Sequence, residues 1–120
     1  MTDTSTFMNQ FKRDSGEIDY GLVAQFFSLT TEQLMSVLGL GSSTMSADDD
    51  RHDVQTRLNQ MLRIIGAVTE WAGGPTLAMR WYRTQPIPSL DGLTPQQLVN
   101  KNQASLVEQH LEVLRLGGYA

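Results

Sequence analysis

Cysteine is absent from the chain, which excludes a disulfide framework and any zinc site built on thiolates. Histidine occurs twice, as His52 and His110, and His110 has no second histidine or carboxylate at ligand spacing. No glycine-rich phosphate loop or nucleophile motif is present either. An enzyme is therefore the poorest of the functional readings, and no cofactor or metal is expected. No apolar run approaches the length of a membrane span. The first residues, MTDTSTFMNQ, lack both a basic start and an apolar block, so no secretory signal is visible and a cytoplasmic protein is expected. Cations are scarce in the first half. Residues 1–60 hold nine acids against four bases, a net of −5, whereas residues 61–120 hold five bases against four acids, a net of +1. An acidic first half weighs against nucleic acid as its partner.

What is present is enough for a folded core. The chain has 120 residues, 40% of them hydrophobic and 18% charged, a balance that suits one domain or one domain with a small appendage. The apolar spacing is helical throughout, and an all-α fold is expected.

Residues 1–17 show little periodicity and read as a loose N-terminal arm. Within them Phe7, Met8 and Phe11 could form one apolar turn that docks on the domain or on a second copy. From Asp19 the pattern becomes helical, with Leu22, Val23, Phe26 and Phe27 on one face. Thr30-Thr31-Glu32-Gln33 is a capping box, with Leu29 and Leu34 placed as a staple, and the helix it opens stops at Gly39 or Gly41. Ser42 or Ser43 can cap a short third helix. Helix, tight turn and short helix outline a helix-turn-helix over residues 18–58. Ser42, Ser43 and Thr44 are then the candidate DNA-binding positions. Base edges and phosphates call for arginine, lysine, asparagine or glutamine, but here hydroxyls precede Asp48-Asp49-Asp50. The three aspartates are consecutive, which suits the positive end of a helix better than a metal.

A long helix is expected from about residue 50 to residue 72, with Val54, Leu58, Met61, Leu62, Ile65, Val68 and Ala72 as its apolar stripe. It joins the two halves, and Gly73-Gly74 ends it. Residues 71–98 then gather both tryptophans, Trp71 and Trp81, and all four prolines. Pro75 suits the first turn of a helix reaching about Thr84, in which Leu77 and Trp81 are four residues apart, as are Ala78 and Tyr82. Trp81 and Tyr82 are buried aromatics, or one of them is an interface anchor. Pro86 and Pro88 stiffen an extended segment. Thr94-Pro95-Gln96-Gln97 repeats the capping box, and a last helix from about residue 103 to residue 116 aligns Leu106 or Val107 with His110, Leu111 and Leu114 before Gly117-Gly118 breaks it. His110 on that stripe reads as a packed histidine.

Ala78, Trp81, the Pro86–Pro88 loop, Leu90, Gly92, Thr94-Pro95, Leu98, Val107, Leu111, Leu114, Gly117 and Tyr119 together resemble the toxin-binding domain of Xre/MbcA/ParS-type antitoxins. The resemblance covers residues 59–120, and residues 18–58 look like the Xre-like helix-turn-helix of the same family. It implies a type II toxin–antitoxin system. The partner would be a RES-domain toxin that degrades NAD, its active site covered by the C-terminal region of the antitoxin. Carried over by position, Trp81, Leu90, Gly92, Thr94 and Pro95 would shape the toxin-binding surface, and Leu114, Gly117, Tyr119 and Ala120 would supply a blocking tail. A homodimer or hetero-oligomer and binding to operator DNA are further expectations from the family. Where relatives carry arginine or lysine after a pair like Thr44-Met45, this chain has Ser46-Ala47 and then the aspartates. The alternative reading is a transcriptional regulator or scaffold without a toxin partner.

Overall fold

A computed structural model describes residues 4–39 and 48–115. Among these the chain forms seven α-helices and no strand: α1 (Thr4–Asn9), α2 (Tyr20–Phe26), α3 (Thr31–Val37), α4 (Asp48–Ala72), α5 (Pro75–Thr84), α6 (Pro95–Asn100) and α7 (Ala104–Arg115). The fold is all-α, as the periodicity implies. No helix among the described residues is long and apolar enough to cross a membrane.

The 25-residue α4 is the spine. Of its expected stripe Val54, Leu58, Met61, Leu62, Ile65 and Val68 are buried and Ala72 is half-buried, and Ile64 is buried with them. That widens the apolar face beyond one seam, because α1, α5, α6 and α7 all pack on this helix. The buried residues form one continuous cluster from Phe7 to Leu111. The expected division between residues 58 and 59 therefore falls inside α4, with Leu58 and Met61 in the same core.

Residues 4–18 are not a loose arm. Phe7, Met8, Phe11 and Ile18 are all buried. Ring centroids of Phe7 and Phe11 lie 5.5 Å apart, and Phe26 stands edge-on to Phe11 at 5.2 Å. Beyond α1 the chain doubles back, with the Asp19 amide donating to the Phe11 carbonyl at 2.7 Å and the Arg13 amide to the Glu17 carbonyl at 2.8 Å. Gln55 on α4 then holds Ile18 at both backbone groups: the Ile18 amide donates to Oε1 and Nε2 donates to the Ile18 carbonyl, each at 2.8 Å. A polar spacer in the sequence thus becomes a docked wall, because a side chain distant in the chain completes its hydrogen bonds.

Helix ends follow their local chemistry. Asp19 caps α2, accepting from the amides of Gly21 and Leu22 at 2.9 and 3.3 Å. Desolvation alone would raise this carboxyl. The Leu22 amide, Arg13 at 3.4 Å and the Gly21 amide together outweigh that and hold it below the usual carboxylate range. Thr30 forms the expected capping box with Gln33. Gly39 ends α3 at φ +74°, and a Cβ there would stand 2.6 Å from Cγ of Asn100. The candidate short helix led by Ser42 or Ser43, and with it Thr44, lies outside the described residues.

Candidate protein-binding surface

The segment from α5 to α7 carries the residues that the sequence marks for partner binding. Gly73 and Gly74, at φ +96° and +139°, turn the chain from α4 into α5, and Pro75 fills the first helical position. Ala78, Met79 and Tyr82 face inward, with Tyr82 fully buried. Of the two readings left open for the aromatic pair, Tyr82 is core. Trp81 is half-buried, packed against that core with part of its ring at the surface.

After α5 the chain makes a closed turn. The Ile87 amide donates to the Leu93 carbonyl at 2.9 Å, the only contact of bridge type there, and the Gly92 amide returns to the Ile87 carbonyl at 3.0 Å. Between them Pro88–Leu90 coil as a single 3₁₀ turn, and Asp91 and Gly92 take φ +61° and +72°. The extended proline segment expected from Pro86 and Pro88 is thus short, closing at Ile87, which is buried. Leu93 leads into Thr94, whose hydroxyl accepts from the Gln97 amide at 3.2 Å while Gln97 Oε1 accepts from the Thr94 amide at 2.9 Å. That is the second capping box, formed as expected.

Leu90, Gly92, Thr94 and Pro95 therefore belong to one hydrogen-bonded unit. Gly92 is exposed, and Leu90 and Thr94 are half-buried. Pro95 is buried at the first position of α6. It shapes the surface by fixing the helix start and offers a partner no side chain, because its ring is used against the core.

Leu114 is half-buried on α7 and packs on the core. This helix runs beside α4 in the same direction, tied by the Arg63–Glu108 ion pair at 3.0 Å. That register sets Leu114 toward the Gly73 end of α4, away from Arg57, where α6 ends. Gly117, Tyr119 and Ala120, the candidate blocking tail, lie outside the described residues. His110 is half-buried on α7 and His52 is exposed. Among the described residues no three histidines, aspartates or glutamates gather as metal ligands.

One part of the surface was not marked by the sequence motifs. Leu77 is 47% exposed and Trp71 is 48% exposed, one on each side of the Gly73-Gly74 turn. Leu77 Cδ1 lies 3.4 Å from where a Cβ on Gly73 would stand. Beside them α5 and α6 leave a groove of about 360 Å³ lined by Thr76, Met79, Arg80, Arg83, Thr84 and Gln96. The signal was available: a helical projection of Pro75–Thr84 puts Leu77, Arg80 and Arg83 away from Ala78 and Tyr82, with Trp81 on the flank between Leu77 and Ala78. Comparison of the chain with protein families, curated proteins and solved structures finds no match.

Proposed function

We propose that the chain is the antitoxin of a type II toxin–antitoxin pair, and that it neutralises a RES-domain, NAD-degrading toxin by binding over its active-site entrance. It carries out no reaction and uses no cofactor. One observation carries the reading. The stretch that resembles the toxin-binding domain, Leu90-Asp91-Gly92-Leu93-Thr94-Pro95, forms a closed turn pinned by Ile87 and Leu93 and continued by a doubly capped helix. A turn already held in one conformation loses little freedom when a partner closes on it, which favours its use as a contact. Asp91 and Gly92 are exposed on it and Leu90 is half-buried, while Thr94 and Pro95 hold the shape.

The test is co-expression with the product of the adjacent gene. The expected outcome is rescue of growth, restored NAD levels and copurification of the two chains. A RES-domain neighbour that stays toxic in its presence, with no complex recovered, would overturn the reading.

A further inference from the structure

We infer that the outward half of α5 is a docking surface for a carboxylate-bearing protein surface, its acidic groups set over Arg80 and Arg83 and its apolar part over Leu77 and Trp81. This rests on the antitoxin reading and adds to it a second contact region and the chemistry of the partner's face.

The inward side of α5 is fixed by Ala78, Met79 and Tyr82, which are buried. At 3.6 residues per turn the opposite side then presents Arg83, Thr76 and Arg80 along one flank and Leu77 and Trp81 along the other. Arg80 and Arg83 are exposed, one turn apart, and line the same groove, in which no acidic residue takes part. Neither belongs to the ion pairs Arg13–Asp19 and Arg63–Glu108. What sets them apart is the acid-free stretch around them. The chain's net charge is −4, yet residues 71–90 contain two arginines and no acid. A guanidinium left in water gains little, but two forks on one helix face suit carboxylates bidentately.

The neighbouring flank supplies what arginine alone does not. Leu77 is nearly half exposed, with Trp81 one turn along. Tryptophan and arginine around an apolar centre is the composition that dominates binding energy at protein contacts. Nucleic acid fits poorly, since two cations on an acidic chain fall short of the footprint that phosphates require. A second copy would meet these arginines with the same arginines if the contact were two-fold.

The experiment measures the affinity of the full-length chain for the RES-domain protein encoded beside it, by biolayer interferometry at about 50 and about 500 mM salt. Compared are the natural sequence, R80Q/R83Q and R80E/R83E. Charge removal is expected to weaken binding several-fold and reversal at least tenfold, and affinity for the unaltered chain should fall as salt rises. Thermal melts should coincide, because both side chains are exposed. Reversed and neutral variants that bind as tightly as the unaltered chain would overturn this inference and leave the antitoxin reading standing. An unaltered chain that fails to bind the toxin would overturn both.

Discussion

Arg57 on α4 and Asn100 at the end of α6 meet at 3.2 Å, and through them segments far apart in the chain are fastened at one point. Arg57 Nη1 also donates to the Val99 carbonyl at 2.9 Å, and Asn100 Nδ2 donates to the Val37 carbonyl at the end of α3, 3.3 Å away. Helix α6 has no basic residue in its own last turn. The cation that complements its carbonyl end comes from α4 instead.

Arg57→Ala is therefore expected to cost about 2 kcal/mol, the loss of hydrogen bonds from a charged donor to partly buried acceptors. Asn100→Ala should overlap with it. In a double-mutant cycle followed by urea denaturation, the pair should show a coupling of about 0.5 kcal/mol or more. Strictly additive losses would mean that the two side chains act independently.

Asp19 gives the fold a pH dependence of known sign. Its carboxyl is held below the usual range, so the folded chain binds that proton more weakly than the unfolded chain does. The stabilisation is present above the ordinary aspartate range and fades as pH falls through the folded value. Asp19→Asn keeps a cap oxygen but loses the charge opposite Arg13. The variant should be less stable than the natural chain near pH 7, and the gap should be narrower at about pH 3, below the ordinary aspartate range. Parallel urea titrations at the two values check this; a gap that persists unchanged in acid would remove Asp19 from the account.

Tyr82 supplies a test of the opposite kind. Burial raises its phenol well above the ordinary tyrosine value, although the charge of Arg57 acts against the shift. Its hydroxyl is buried and has no hydrogen-bond partner among the described residues. Removing a buried donor that is unsatisfied is nearly neutral or favourable, so Tyr82→Phe should hold or raise stability by up to about 1 kcal/mol. Truncation of the ring should instead cost about 3–5 kcal/mol. Differential scanning calorimetry of Tyr82→Phe and Tyr82→Ala separates the two effects. A Tyr82→Phe variant that melts well below the natural chain would show that the hydroxyl is bonded in the folded state.

Local chemistry was legible in the sequence, and long-range chemistry was not. Both capping boxes, the stops at Gly39 and Gly73-Gly74 and the span of α5 depend on residues within one turn of each other, and they form where the pattern puts them. For the N-terminal segment the docked turn of Phe7, Met8 and Phe11 is the alternative that holds over the loose arm, and the choice depends on Gln55 and Phe26, which periodicity over residues 1–17 does not contain. The same limit applies to the candidate site. Its turn could be read from proline, glycine and the threonine cap, but the burial of Pro95 and the isolation of Arg80 and Arg83 depend on how α6 lies against α5.

Helix α4 lends one continuous face to both ends of the molecule, and this bears on how such a chain can be divided or recombined. Severing it between residues 58 and 59 would leave Leu58 and Val54 on one fragment and Met61, Leu62 and Ile65 on the other, each with its packing partners removed. A graft of the α5–α7 segment onto another scaffold would have to carry α4 whole, together with Arg57 and the carbonyl ends it secures. The unit of transplantation is set by the spine and is larger than the stretch proposed to meet a partner.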